Sequence, residues 1–291
     1  MSLVAEKPSR PFAKFASRAF SVLCYLCMSL SISALIVLLW QVVQYGWEWL
    51  SWDFLTNFSS RFPQKAGIKA ALVGSLYLVG MTALLSVPIG VGTAIYLEEY
   101  APKSRWRTIV QLNIANLAGV PSIVYGILGL GLFVQAMHFG RGILAGAATL
   151  TLVILPIIIL TSQEALRAVP STIREASYAL GATRWQTVWL QLLPAALPSM
   201  LTGIILALSR ALGEAAPLVA IGAATYVRFT PEGIFDKFTA LPLQIFHWTG
   251  DAKEDFHHIA AAGIIILLAV LITMNAIAVV LRSRLNKKIR W

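Results

Sequence analysis

Six apolar runs, separated by more polar segments, extend along the chain. A helix needs about 20 mainly apolar residues to cross the hydrocarbon core of a bilayer. Backbone groups that face lipid have to be satisfied within their own segment, so each run is predicted to be a helix. The runs lie near 20–44, 70–97, 108–137, 142–162, 195–226 and 258–282. This pattern predicts an all-α membrane protein with six transmembrane helices.

The first run follows a basic segment, an arrangement that secretory signal peptides also show. The run near 20–44 is longer than the usual signal core, and it has no clear small-x-small cleavage site. We therefore interpret it as a membrane span that the protein retains.

The overall composition agrees with a membrane location. The chain is 58% hydrophobic and 12% charged, with a mean hydropathy of +0.74. A soluble domain usually has about 25% charged residues. The formal net charge of +10 comes from basic residues at the ends of the apolar runs. Such charges are typical of loops beside a membrane, so membrane lipid is the expected surrounding and no nucleic acid partner is predicted.

The positions of Lys and Arg predict the orientation, because cytoplasmic segments carry the excess of positive charge. With the N terminus inside, 15 of these residues fall on inner segments and 7 on outer segments, and Arg210 remains within a span. Both termini are therefore predicted to be cytoplasmic. The chain then divides into a cytoplasmic tail at 1–19, a six-span domain at 20–282 with an inner segment at 163–194 and outer loops at 45–69 and 227–257, and a cytoplasmic tail at 283–291.

The inner segment contains a polar, helix-forming stretch, Ser171–Pro194. Two pairs in it match the capping box, in which two side chains satisfy free N–H groups at a helix start; they are Thr172 with Glu175 and Thr183 with Gln186. Gly181 is predicted to end the first helix and Pro194 the second. The stretch therefore predicts two short helices joined at a glycine corner.

This stretch resembles the EAA loop of ABC importer permeases, whose pattern is E-A-A, three residues, G, nine residues and I-x-L-P. Here Glu175-Ala176-Ser177 is followed by Gly181 and then by Gln191-Leu192-Leu193-Pro194, with Ser and Gln as departures. The resemblance implies the type I ABC importer permease fold and docking of this loop to a separate ATPase subunit. It assigns ATPase coupling to Glu175, Ala176, Gly181, Leu193 and Pro194.

The chain lacks the sequence features of an ATPase or another enzyme. A phosphate-binding P-loop needs a Gly-Lys pair, and none occurs in the sequence. No nucleophile and base have catalytic spacing. We therefore expect no cofactor on this chain, with ATP and Mg bound by a partner ATPase.

Two further patterns could bind metal. Cys24 and Cys27 lie within the first apolar run, where small apolar packing is the simpler interpretation. His247, His257 and His258 lie in the second outer segment without a zinc-type spacing. That segment is interpreted as a solvated loop, and no metal site is predicted.

Arg210 and Glu214 are ionisable residues near the middle of the fifth predicted span. Charged residues inside a membrane are costly and usually mark a transport pathway. Their spacing of four residues places them on one helix face, where they can pair. A purely structural ion pair is the alternative. A guanidinium group matches a tetrahedral oxyanion well.

Two more stretches sharpen the resemblance: A-G-V-P-S-I-V-Y-G-I-L-G-L at 118–130 and S-R-A-L-G-E-A-A-P-L at 209–218. Together with the EAA loop they resemble PstA-type permease subunits of bacterial phosphate importers. The resemblance implies an inner-membrane location and a translocation role for Arg210 and Glu214. It also implies these partners: a second, PstC-type permease, two copies of an ATPase and an extracytoplasmic phosphate-binding protein.

Two other functions remain open at this point. A permease for another oxyanion, such as molybdate or phosphonate, would keep the EAA loop and differ along the pathway. A secondary transporter or channel would work without an ATPase.

Overall fold

A computed structural model describes residues 11–224 and 226–286 of the chain. Over this range it contains α-helices and one isolated antiparallel bridge, between Gly142 and Lys237. The α-helices are α1 (Pro11–Gly46), α2 (Trp52–Thr56), α3 (Lys69–Ile95), α4 (Arg105–Leu117), α5 (Ser122–Gly129), α6 (Ile143–Arg167), α7 (Ser171–Ala179), α8 (Arg184–Thr187), α9 (Leu193–Gly213), α10 (Ala216–Ala220), α11 (Leu241–Thr249) and α12 (Glu254–Asn286). Wider π-helical turns follow α3 at Tyr96–Tyr100, follow α5 at Leu130–Ala136 and precede α9 at Val188–Leu192.

The predicted helical spans are largely confirmed. Within the described residues, five stretches are long and apolar enough to cross a membrane: Ser17–Trp49, Lys69–Tyr100, Ile143–Arg167, Arg184–Gly213 and Glu254–Arg284. A bent pair of helices supplies a sixth if it counts as one span. The predicted cytoplasmic tails fall partly on residues 1–10 and 287–291, which lie outside the described residues. The parts of these tails that the structure describes, residues 11–19 and 283–286, are helical and belong to α1 and α12.

The third apolar run, predicted as one span near 108–137, is not a continuous helix. α4 and the α5 segment are bent by 101° relative to each other. Pro121 stands directly before α5 with a non-helical ψ of 134°. Proline has no N–H and its ring clashes with the carbonyl four residues earlier, so the helix cannot continue from α4. The run forms a broken span or a re-entrant pair.

The core is organised around α6. Its side chains Leu150, Ile154 and Ile158 are fully buried, and their spacing of four residues places them on one face. α3 and α9 both pack against α6. Gly90 on α3 faces Ile158, and a Cβ at Gly90 would lie 2.6 Å from Ile158 Cγ2. The absence of a side chain therefore allows α3 and α6 to approach closely, as small residues do between membrane helices.

α1 lies at the edge of the bundle and packs on α12. At its end, Gly46 lies against the backbone of Ala261 and Ala262. The large apolar side chains along α1, among them Phe20, remain exposed within the chain. A long helix that is apolar on all sides without protein cover is typical of one that faces lipid.

The segment at 227–257, predicted to be an outer solvated loop, is only partly exposed. Phe238, Leu241 and Trp248 are almost completely buried. The backbone N–H of Leu241 donates to the Ser75 hydroxyl of α3 at 2.8 Å. The stretch 238–248 is buried because α11 carries apolar residues that pack against α3, α9 and α12. It is part of the core of the bundle, whereas 232–235 and 252–255 remain exposed.

Gly90→Ala and Gly92→Ala separate close packing from helix propensity. Each change replaces a glycine of α3 with alanine, and the higher helix propensity of alanine alone stabilises the helix by about 1 kcal/mol. The new methyl group meets Ile158 at position 90, whereas a Cβ at Gly92 meets nothing within 4 Å. We expect Gly90→Ala to lower the melting temperature of the purified chain by several degrees. Gly92→Ala should leave it unchanged or higher, and equal melting temperatures would contradict the packing account.

Candidate coupling and translocation sites

The stretch predicted to form two short helices does so, as α7 and α8. Gly181 forms the corner with φ at +80°, a conformation that glycine adopts without steric cost. The second capping box is confirmed, since Gln186 N–H donates to Thr183 Oγ1 at 3.3 Å and Thr183 N–H donates to Gln186 Oε1 at 2.9 Å. The hydroxyl groups of Ser177 and Thr187 are 2.8 Å apart and connect the two helices.

The first predicted capping box, Thr172 with Glu175, is wrong. α7 already begins at Ser171, so Thr172 is a helical residue and not the N-cap. No side-chain hydrogen bond caps this helix start. Pro170 is the reason, because its extended ψ of 139° ends the preceding turn and places the helix start at the next residue.

The predicted stop at Pro194 is also wrong. The helix runs without a break from Arg184 through the π turn at Val188–Leu192 into α9, and it ends at Gly213. A proline in a regular helix clashes with the carbonyl four residues earlier. The wider π turn lies directly before Pro194, and such turns accommodate irregularities inside a helix. The second coupling helix and the fifth span are therefore one helical unit.

The residues assigned to ATPase coupling are divided between the α7 corner and the start of α9. Glu175 and Ala176 are exposed on α7, and Gly181 forms the corner beside Leu180, which is 89% exposed. Leu193 and Pro194 instead form the first turn of α9. The structure therefore groups the first three coupling residues around an exposed apolar tip and separates the last two from it.

Arg174 holds α7 against the inner ends of α3 and α6. Its Nε and Nη2 donate to Glu99 Oε1 at 3.1 and 2.9 Å. Its remaining donors bind the carbonyl groups of Val169 at 2.9 Å and Leu166 at 2.8 Å. The side chains of Arg174 and Glu99 are only 21% and 8% exposed. Removing one partner of a buried ion pair costs about 3 kcal/mol or more, so this contact is a strong clamp.

Glu98, the neighbour of Glu99 in the π turn after α3, is the centre of a second cluster. Its carboxylate accepts hydrogen bonds from Arg107 at 3.3 Å, Gln163 at 3.0 Å and Arg167 at 2.6 Å. In the sequence these arginines are recognisable only as cytoplasmic charge, and neither cluster is predicted. Two adjacent acidic residues at the end of an apolar helix are the signal, because a buried carboxylate needs partners.

Arg210 and Glu214 form the predicted pair, with Arg210 Nε 3.3 Å from Glu214 Oε1. Their side chains are 48% and 19% exposed within the chain. The fifth predicted span is interrupted at this pair, since α9 ends at Gly213 and Glu214 has an extended backbone. In an unbroken helix the ring of Pro217 would clash with the carbonyl of Gly213. The pair therefore lies at a break between α9 and α10.

This break packs against the other broken helix. Gly126 on α5 faces α10, and a Cβ there would lie 2.7 Å from Pro217 Cα and 2.6 Å from Ala220 Cβ. A larger residue would push α5 and α10 apart. The segments 118–130 and 209–218, which are distant in sequence, thus lie against each other.

Polar side chains stabilise the two breaks. The hydroxyl of Tyr125 donates to the carbonyl of Leu117, the last residue of α4, at 2.8 Å. The same carbonyl also accepts from the N–H of Val120 at 3.1 Å, so a turn and a side chain both hold the end of α4. Ser209 Oγ donates to Asn275 Oδ1 at 2.7 Å and fixes α9 to α12 one residue before Arg210.

One helix connects the coupling corner with the Arg210–Glu214 pair. The stretch Arg184–Gly213 has 30 residues, which corresponds to a length of about 45 Å. A displacement of α7 and α8 at one end can therefore reach the broken segment at the other end as a movement of one rigid element.

The patterns that could bind metal do not form a site within the described residues. No three His, Cys, Asp or Glu side chains there are close enough to hold an ion. Cys24 and Cys27 are exposed free thiols on α1.

The described residues form a bundle of membrane-length helices with an exposed helical corner at Leu180 and Gly181. Residues 86–291 match the family described as binding-protein-dependent transport system inner membrane component. The match covers more than half of the chain, and the chain belongs to this family. It is therefore a multi-pass inner-membrane protein and a transport subunit, and it is not an ATPase.

Several proteins are similar along most of the chain. The probable ABC transporter permease YqgI of Bacillus subtilis is 34% identical over 91% of this chain and 94% of its own length. The phosphate transport system permease PstA 1 of Mycobacterium tuberculosis is 34% identical over 85% of this chain and 82% of its own length. A bacterial ABC transporter for import of the polysaccharide alginate contains a chain that superposes with a TM-score of 0.67, at 15% identity over 94% of this chain and 99% of its own. That structural similarity confirms the predicted ABC importer permease fold.

Arg174→Gln and Arg184→Gln each remove one positive charge from the coupling helices, and Arg184 is an exposed residue of α8. We expect backbone amides of α7 to exchange hydrogen roughly tenfold faster or more in Arg174→Gln, because the helix loses its clamp to α3. Hydrogen exchange of the purified full-length chain, followed by mass spectrometry, measures this. Arg184→Gln should keep the parental exchange in α7, and unchanged exchange in Arg174→Gln would show that the clamp does not hold the helix.

Proposed function

We propose that this chain is the permease subunit of an ATP-driven importer of inorganic phosphate and forms one half of its translocation pathway. The observation that carries the proposal is the Arg210–Glu214 pair at a helix break, in which Arg210 is half-exposed and Glu214 is mostly buried. The similarity to a phosphate transport permease over most of the chain supports the choice of substrate.

An anion that crosses a bilayer needs compensation of its charge. Phosphate near neutral pH carries one or two negative charges, and a bare anion cannot cross about 30 Å of hydrocarbon. Arg210 is the compensating cation that this chain supplies, with a guanidinium fork that can bind two oxygens of phosphate. Glu214 neutralises Arg210 while the pathway is empty. During transport, phosphate displaces Glu214 from Arg210.

The exposure of Arg210 indicates how the pathway is completed. Its side chain is 48% exposed, which would be very costly in contact with lipid alone. A second, homologous permease of the PstC type covers this side, so that Arg210 faces a cavity between the two subunits. An extracytoplasmic phosphate-binding protein delivers the substrate to the outer side of this cavity.

The ATPase docks at the opposite end of α9. The residues 163–194 form a cytoplasmic coupling loop, with both chain termini on the same side, in accordance with the distribution of basic residues. Leu180 and the exposed face around Glu175, Ala176 and Gly181 dock into a groove of a separate ATPase, of which two copies serve the two permeases. Leu193 and Pro194 pass the movement to α9. ATP and Mg bind to the ATPase and not to this chain.

Neutralising variants of the pair test the pathway role. Arg210→Gln keeps most of the side-chain bulk and loses the charge, so we expect ATP-dependent uptake of labelled phosphate to fall at least roughly tenfold while the complex still assembles. Arg210→Lys should retain part of the activity, because a point charge replaces the bidentate fork. Glu214→Gln should do milder damage, with ATP hydrolysis that is less tightly coupled to uptake.

The control is Arg228→Gln, which removes an exposed positive charge outside the pair and should leave uptake unchanged. If the ion pair were purely structural, the double variant Arg210→Gln/Glu214→Gln should recover assembly and phosphate uptake, because no unpaired charge remains. Phosphate uptake at the parental rate by this double variant would refute the pathway role.

A further inference from the structure

A basic pocket lies between the inner end of α3, the first turn of α4 and the last turn of α6. Its volume is about 530 Å³. Four positively charged side chains and one carboxylate line it: Lys103, Arg105, Arg107, Arg167 and Glu98. Neither the coupling role of α7 nor the pathway role of Arg210 uses the free positive charge of this pocket.

The single carboxylate does not balance these four charges. Glu98 is already engaged by Arg107 and Arg167. Lys103 and Arg105 are exposed and form no ion pair with the described residues. The Nε atom of Arg107 is buried and has no hydrogen-bond partner among the described residues. The pocket therefore carries an excess of positive charge that an external anion can neutralise.

The start of α4 adds a second attraction for an anion. This helix has 13 residues and begins at the pocket after Ser104, whose hydroxyl accepts from the N–H of Arg107 at 3.3 Å. Free N–H groups and the helix dipole give a helix start a partial positive charge, which favours phosphate groups.

The exposed face of α4 indicates which molecule carries the phosphate group. Trp106, Ile109 and Leu112 follow at intervals of three residues, and all three are exposed apolar side chains. Tryptophan is enriched where a membrane protein meets the lipid headgroups. Basic pockets at the cytoplasmic side between membrane helices bind anionic headgroups. α4 therefore presents a surface for acyl chains directly beside the charged pocket.

We propose that the basic pocket binds a phosphate group, and that its source is the headgroup of an anionic phospholipid whose acyl chains lie along α4. Free inorganic phosphate is the other possible source of the same chemistry. The inference rests on the proposed orientation, which places the pocket at the cytoplasmic face. It does not depend on the transport cycle, because lipid binding to the isolated chain can be measured without ATPase or uptake.

The test uses the purified full-length chain in nanodiscs that contain phosphatidylglycerol, phosphatidylcholine or both. Native mass spectrometry counts the lipids that remain bound after release from the disc. We expect the parental chain to retain phosphatidylglycerol. Lys103→Gln/Arg105→Gln should retain it at least roughly tenfold more weakly, since each basic residue near the surface contributes to binding. The charge-preserving variant Lys103→Arg/Arg105→Lys should retain the lipid.

The matched control is Arg18→Gln/Arg284→Gln, which removes two exposed charges from the same side of the membrane outside the pocket. It should retain phosphatidylglycerol like the parental chain. A second arm measures binding of radiolabelled inorganic phosphate to the same variants in phosphatidylcholine discs. If inorganic phosphate binding depends on Lys103 and Arg105 and the chain shows no preference for phosphatidylglycerol, the pocket binds phosphate. The proposal that a lipid headgroup supplies this phosphate would then be wrong. Equal lipid and phosphate binding by all four proteins would overturn the site itself.

Discussion

Within a bilayer, a backbone N–H or carbonyl group has no water to bind, so an apolar run stays helical unless other groups satisfy a break. The described chain obeys this constraint along α1, α3, α6 and α12, and it departs from it in two places. One break separates α4 from α5, and the other separates α9 from α10. Both breaks occur next to a proline, and both come together where Gly126 lies against α10. Irregular backbone at membrane depth is tolerated where it borders protein or a cavity, so this junction is the natural place for a pathway.

Buried charges also need partners, at the end of the bundle where α3 and α6 meet α7. Glu98 and Glu99 are almost buried, and four polar side chains from α4, α6 and α7 compensate them. Buried carboxylates without such partners would be very costly. This requirement fixes α7 to the membrane helices while the tip around Leu180 stays exposed. α7, the helix proposed to dock the ATPase, is thus held at its base, and the continuous helix Arg184–Gly213 leads from the corner after α7 to Arg210.

The sequence predicts the elements that depend on local chemistry. Long apolar runs define the spans, and the pattern around Thr183 and Gly181 defines the corner between α7 and α8. Local patterns fail where a neighbour overrides them, as Pro170 does for Thr172 and the π turn does for Pro194. They also fail where tertiary packing decides, as in the buried segment around Leu241 that reads as a loop. The Arg174–Glu99 clamp joins residues 75 positions apart, and no pattern along the chain specifies such a pairing.

The central claim is that this permease moves phosphate through a pathway that ATP hydrolysis on a separate subunit drives. The most direct measurement is uptake of labelled phosphate into proteoliposomes that contain this chain, the second permease and the ATPase, with the phosphate-binding protein added outside. The account predicts uptake that requires ATP and all of these partners and that excess unlabelled phosphate, but not molybdate, suppresses. Equal uptake without the ATPase, or preferred uptake of molybdate or a phosphonate, would contradict it.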